Sequence, residues 1–390
     1  MKSFTLRNAL ARRRDVNDYT TFLRRPALVN SPRCWQADRQ YGGFASVLQK
    51  QVRIQDVARA AGVSTATVSR ALSNPDLLTE ATRNAVFDAI RSTGYRVNQA
   101  ARNLRKQRAG AVLVLVPNLG NPFFSQILAG ISAVFEDSDY SVLIADTLGH
   151  DDKGREVVEY FRDSRIDGMI SLDGGMTGAD VSVLAQNGVE NRVVFACEWV
   201  QDAAFPSVRS DNAGGARLAV RHLYDLGHRA IAHVTGPKGN VLTHVRRDGM
   251  LAERERLGLE VRDEWIMRGD FSLQSGRDAA QRILGMQNRP TAVFCASDMV
   301  AFGLISGLHA GGLSVPGDIS VVGFDDIEMS EFYVPALTTI RQDRRSLGER
   351  AAVRLIERLE ASEGAAAPIG ATQVELVDVS LIVRASTAAV

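Results

Sequence analysis

Four side chains of the types that move protons stand out: Glu198, His244, Asp298 and Asp325. None lies in a pattern that organises a reaction. No nucleophile elbow, phosphate loop or dinucleotide fingerprint is present, and the glycines of "NAGGARLA" (212–219) lack the spacing such a loop needs. The three cysteines, Cys34, Cys197 and Cys295, form no CxxC pair and no metal-ligand spacing with histidine. No metal, cofactor or catalytic residue is expected, and a reducing cytoplasm is the simplest setting. The chemistry to look for is therefore recognition, and "VSTATVSRAL" (63–72) is built for it. Its small side chains, hydroxyls and single arginine suit a surface that must come very close to something polar and ordered.

The elements around that stretch are short helices. In "RIQDVARAAG", Ile54, Val57, Ala58 and Ala61 fall at helical spacing and Gly62 ends the run. Ser64 is placed to cap a second helix reaching about Leu72, with Val68 and Leu72 inward. After "SNPDLL", Thr79 is placed to cap a third, with Ala85, Val86 and Ile90 inward, ending at Gly94. Three short helices with a tight turn between the first two form a helix-turn-helix plan. In that plan the second helix enters the DNA major groove. Thr65, Ala66 and Thr67 would meet base edges, Arg70 a guanine or a phosphate, and Ser69 and Ser73 phosphate. Alone, this helix could equally be an ordinary surface helix; its neighbours favour DNA.

Charge agrees. Residues 1–52 carry ten Lys/Arg against three Asp, and residues 53–110 carry ten against four acidic residues, yet the whole chain is only +1. A basic N-terminal quarter is fused to an acidic body, which implies a polyanion partner for the first part. Residues 1–51 show no lasting apolar period, and arginines interrupt any export signal, so a disordered basic extension is expected. No apolar run is long enough for a membrane span. At 45% hydrophobic and 23% charged residues over 390, the chain is an ordinary globular protein with room for two or three domains.

From residue 111 the rhythm changes. "AVLVLVPN", "YSVLIAD", "GMISLDG", "RVVFACE", "AIAHVTG", "TAVFCAS" and "ISVVGFDD" are short buried strands alternating with helical segments. The pattern predicts parallel sheets covered by helices, with too many units for one sheet and hence two lobes. The fold class is α/β, an all-α helix-turn-helix head and hinge helix before a two-lobed body. Ligands of such lobes bind beyond the carboxyl ends of the strands, in the cleft. The expected boundaries are 1–51 extension, 52–97 head, 98–108 hinge and 109–390 body.

"IQDVARAAGVSTATVSRALSNPDLLTEATRNAVFDAIRSTGYRVNQAARNLR" resembles the DNA-binding head and hinge of the LacI/GalR family of bacterial transcription regulators. "NPFF", "IDGMI", "HLYDLGHRAIAHVTGP", "PTAVFCASDMVAFGL", "VPGDISVVGFDDIEMS" and "PALTTIRQ" resemble its effector domain in the same order, so the likeness runs over about residues 52–387. The resemblance implies a cytoplasmic homodimer or homotetramer on a pseudopalindromic operator. It also implies a hinge helix that forms on DNA, in "NQAARNLRKQR" (98–108), with Leu104 wedged into the minor groove, Arg102, Arg105 and Lys106 on phosphate, and Asn98 among the DNA-binding residues. Val97 departs from the proline of many relatives.

In the cleft the resemblance points to Asn121, Phe123, Phe124, Glu198, Asn240, His244, Arg246, Phe271, Asp298 and Asp325. Cys197 and Glu198 replace the Asp-Arg pair with which many members grip sugars. "FACEW", "THVRRDGM" and "RGDFSLQSG" are similar to the cytidine and purine repressor branch, so a nucleoside or nucleobase effector is expected, with a sugar as the alternative. Plainer roles compete at several positions. Phe123 and Phe124 could be core, Asp298 could cap its helix, and His244 could be a solvated helix residue. A sugar-binding transport protein would share the two lobes but would need an export signal and no helix-turn-helix.

Overall fold

A computed structural model describes residues 52–98, 102–104, 107–149, 153–201, 203, 205–361 and 374–390. The basic extension expected over residues 1–51 lies outside the described residues, as do Arg105 and Lys106. The chain divides into two compact units, one ending at Arg96 and one spanning Val97–Val390.

The first unit holds α1 (Ile54–Ala61), α2 (Thr65–Ser73) and α3 (Glu80–Thr93). Gly62 ends α1 at φ 68, a left-handed conformation that a side chain would strain, and this makes the tight turn into α2. Ser64 Oγ accepts the Thr67 amide and Thr79 Oγ1 accepts the Thr82 amide, so both following helices start on the hydroxyls expected of them. Val57, Val68 and Val86 are fully buried and Ala58, Ala71 and Ala89 nearly so. The expected register of α3 needs one correction. Ala85 is exposed, and Ala89 takes the inward place, because a helical face through Val86 continues at i+3 and i+4, not at i−1.

The second unit contains two six-stranded sheets. The first lobe holds β1 (Ala111–Val116), β2 (Ser141–Asp146), β3 (Gly168–Ser171), β4 (Val193–Ala196), β5 (Ser207–Ser210) and β11 (Val374–Val377), in the order β11-β5-β4-β3-β1-β2. The second holds β6 (Ile231–Val234), β7 (Ile266–Met267), β8 (Ala292–Cys295), β9 (Ser320–Asp325), β10 (Thr338–Gln342) and β12 (Val379–Ile382), in the order β12-β10-β9-β8-β6-β7. Helices follow the strands: α4 (Phe124–Phe135), α5 (Lys153–Arg162), α6 (Gly178–Gln186), α7 (Asn212–Asp225), α8 (Val241–Arg256), α9 (Leu273–Gly285), α10 (Asp298–Ala310), α11 (Met329–Phe332) and α12 (Arg344–Ala361). The central strands β1, β3 and β4 are buried throughout, whereas β2, at an edge, has no fully buried residue. All pairings are parallel except β12 on β10. Only Asp378 separates β11, in the first sheet, from β12, in the second, so the chain passes directly from one lobe to the other.

The chain crosses between the lobes after β5, after β10 and between β11 and β12. It returns to the first lobe as α12, which packs on α4. A Cβ added to Gly130 would lie 2.3 Å from the Arg345 carbonyl oxygen, and one added to Gly348 would lie 2.1 Å from that of Ile127. The two backbones therefore touch. In the second lobe a Cβ added to Gly276 of α9 would lie 2.1 Å from the Val300 carbonyl oxygen, and one added to Gly303 of α10 would lie 1.9 Å from that of Leu273. Each lobe is closed on one side by a helix pair that only glycine allows to approach so closely. Gly348→Ala should therefore destabilise the protein by about 1–3 kcal/mol in urea unfolding. Gly178→Ala, where an added Cβ meets nothing within 4 Å, should be neutral or slightly stabilising.

Candidate DNA and ligand sites

On α2 the inward face is Val68 and Ala71. The opposite face presents Thr65, Ala66, Arg70 and Ser73 exposed, with Thr67 and Ser69 half-buried. Thr67 Oγ1 lies 2.9 Å from Ser64 Oγ, and Ser73 Oγ donates to the Ser69 carbonyl. The helix thus satisfies its own start and leaves a low, hydroxyl-lined outer surface with one long cation. Within the hinge stretch, 102–104 form a helical turn, and the Arg102 amide donates to the Asn98 carbonyl. Asn98 is exposed. Leu104 is 80% exposed, an unusual position for a large apolar side chain unless it meets a partner.

In the second unit a cavity of about 510 Å³ opens between the lobes. Asn118, Asn121 and Phe124 approach it after β1, Leu148 after β2 and Glu198 after β4. From the other lobe come Asn240 after β6, Asp270 and Phe271 after β7, and Met299 after β8. Every wall is a carboxyl end of a strand or the helix start that follows it.

One hydrogen bond spans the cavity. Asn240 Nδ2 donates to Glu198 Oε1 at 2.9 Å, while Glu198 Oε2 accepts the Gly174 amide. Asn240 is held by its own fold, since its Oδ1 caps α8 by accepting the Leu242 and Thr243 amides. Burial raises the pKa of Glu198; the bonds from Asn240 and Gly174 oppose that rise, and the nearby Asp173 charge adds to it. Phe271 sits at φ 66, a left-handed conformation that costs an aromatic residue about 1–3 kcal/mol. The Asp270 carboxylate, accepting the Ser272 amide, secures the turn. Gly236 makes room for the ring, because a Cβ there would lie 2.2 Å from Phe271 Cζ.

Of the expected ligand residues, the structure brings Asn121, Phe124, Glu198, Asn240 and Phe271 to this one cavity. It places the other five elsewhere. Phe123 is packed in the core, and its carbonyl accepts from Arg344. His244 is exposed on α8. Asp298 is fully buried, and its oxygens accept from the Ile327 amide, Ser330 Oγ and Thr339 Oγ1. Arg246 is 2% exposed. It donates to the Ala296 carbonyl and to Asn212 Oδ1, lies 3.6 Å from Asp325, and stacks 3.8 Å over the Phe324 ring. Asp325 in turn accepts from Gln342. Burial raises the pKa of both Asp298 and Asp325, and the charge of Arg246 draws Asp325 back. Asn118, Leu148, Asp270, Gln274 and Met299 also line the cavity and were not expected. Their one legible signal is position, each lying shortly after a strand.

Residues 53–98 match the family described as bacterial regulatory proteins, lacI family, and residues 220–387 match the periplasmic binding protein-like domain. The chain is 38% identical over 336 residues to the HTH-type transcriptional repressor CytR of Escherichia coli (strain K12), covering 86% of this chain and 96% of that protein. The chain belongs to the LacI family. A second LacI-family relative, the HTH-type transcriptional repressor PurR of Photobacterium profundum, is 32% identical over 79% of this chain and 92% of its own length. The crystal structure of the lac repressor dimer bound to operator and the anti-inducer ONPF superposes with a TM-score of 0.74 at 30% identity, covering 87% of this chain and all of that one. As a LacI-family member the protein is a sequence-specific, DNA-binding transcriptional regulator. Its operator affinity is controlled by a small-molecule effector, and it is not an enzyme. No helix among the described residues is long and apolar enough to cross a membrane.

The burial of Arg246 sets a test of its role. Arg246→Ala leaves Asp325 uncompensated beside Asp298, and should cost about 3–5 kcal/mol of stability in denaturant unfolding. Adding Asp325→Asn should recover part of that loss. A variant that merely lost ligand affinity would show neither effect.

Proposed function

We propose that the effector is a nucleoside or nucleobase bound between the lobes. The observation that carries this reading is the pairing, on one cavity, of aromatic rings from opposite lobes, Phe124 and Phe271, with a carboxyl–carboxamide pair, Glu198 and Asn240. A base offers a flat face to the rings and an edge of alternating donors and acceptors to the polar pair. A saturated sugar would use the rings less. The kinship with repressors named CytR and PurR is consistent with this. The ligand contacts fall to Asn121, Phe124, Glu198, Asn240 and Phe271, with Arg246 and Asp325 holding the floor beneath them. Calorimetry with cytidine, adenosine, hypoxanthine, guanine and ribose tests the assignment. A base-containing ligand should bind, and Asn240→Ala should weaken it. Binding of ribose alone would overturn the reading.

The head, over about 52–97, reads DNA through α2, and 98–108 form the hinge, in a cytoplasmic protein. Thr65, Ala66 and Thr67 meet base edges, Ser69, Ser73 and Arg102 meet phosphate, Leu104 enters the minor groove, and Asn98 contacts DNA beside it. If Arg70 makes a bidentate base contact, Arg70→Ala should cost about 1–3 kcal/mol of operator affinity and relax specificity at one base pair. Unchanged affinity at fixed salt in a gel-shift titration would remove Arg70 from the interface.

A further inference from the structure

The root of the hinge is fastened to the first lobe. The Ala109 and Gly110 amides donate to the two oxygens of Asp167, at 2.9 and 2.6 Å, and Asn103 Nδ2 donates to the Ala109 carbonyl. Beside this clamp lies the turn between α4 and β2. Its Asp139 carboxylate receives Arg102 Nη1 at 2.8 Å, and the ring of the next residue, Tyr140, has the Arg108 guanidinium 6.0 Å from its centre. Two hinge arginines are thus gathered at one turn of the body. Arg102 and Asp139 remain about a third and two-fifths exposed, so water and competing anions reach the pair.

A guanidinium held by a carboxylate cannot give the same donors to a DNA phosphate. We propose that Asp139 is an internal competitor for DNA, a carboxylate that holds Arg102 in the DNA-free protein and yields it to the operator backbone. A half-exposed ion pair is weak, whereas a phosphate offers the guanidinium a bidentate partner and releases a counterion. The exchange therefore favours DNA, and breaking the internal pair subtracts from the gain. Asp139 thereby sets the threshold at which the hinge engages. Placement ties the threshold to the cavity. Phe124, on the cavity wall, opens α4, and Asp139 lies four residues beyond its last residue, Phe135. A helix of 12 residues spans about 18 Å, so α4 runs from the cavity wall to the turn whose carboxylate holds the hinge.

The inference rests on Arg102 reaching phosphate, and one set of titrations separates the two ideas. Operator affinity of the full-length protein is measured across a salt series for the wild type, Asp139→Asn, Asp137→Asn, Arg102→Ala and the Arg102→Ala/Asp139→Asn double variant. Asp137 is exposed in the same turn and reports the general effect of removing one negative charge. Asp139→Asn should tighten binding about two- to five-fold and steepen the salt dependence by about one counterion, with Asp137→Asn doing less. In the Arg102→Ala background the excess of the Asp139→Asn effect over that of Asp137→Asn should shrink, because the share carried by Arg102 is gone. If Arg102→Ala weakens binding but Asp139→Asn matches Asp137→Asn or binds less tightly, competition is wrong and the hinge reading stands. If Arg102→Ala leaves affinity unchanged, the hinge reading fails and the competition fails with it.

Discussion

A single buried guanidinium organises the floor of the cleft. Arg246 reaches Asn212 at the first crossing between lobes, the Ala296 carbonyl at the end of β8, and Asp325 at the end of β9. Asp325 extends the connection to Gln342, at the second crossing. Both crossings are thereby tied to one lobe by a charge pair that water cannot reach. Taking such charges from water is expensive, and it is tolerable here because several groups share the guanidinium and the ring of Phe324 covers its face. Stripping away either partner would leave a charge in a place that cannot solvate it.

Above this floor the contacts are of a different kind. Glu198 and Asn240 meet across the cavity through one hydrogen bond, and each is anchored within its own lobe. A ligand inserted between them exchanges one polar contact for others at little cost. The pair Arg102–Asp139, at the turn between α4 and β2, has the same exchangeable character. An effector alters operator affinity only by binding one lobe arrangement better than another, and the coupling is reciprocal.

Much of the architecture was legible. Apolar runs such as "AVLVLV" and caps such as Ser64 and Thr79 act locally, and local signals survive in sequence. What escaped was non-local. The strand "SVRS" is short and half polar, β7 is only two residues long, and the antiparallel β12 depends on where the chain re-enters. The site shows the same limit. Phe123 and Phe124 are adjacent and chemically alike, yet helix phase leaves one wholly in the core and brings the other to the cavity wall. The family resemblance marked Arg246 and Asp325 as important, but not that they would turn toward each other. Asp270 went unnoticed because its neighbour Phe271 carried the family resemblance, while only the fold shows that the turn presents both.

The paired glycines at the α4–α12 and α9–α10 crossings constrain how the molecule can move. Where two backbones touch, neither helix can slide along the other without a carbonyl oxygen striking a Cα. Shear inside a lobe is therefore blocked, and each lobe is left to behave as a plate. The compliance of the body is confined to the three crossing segments, two of which Arg246 and Asp325 grip. Such a body answers a ligand by pivoting between a few discrete orientations, since it has no soft interior in which a graded response could be absorbed.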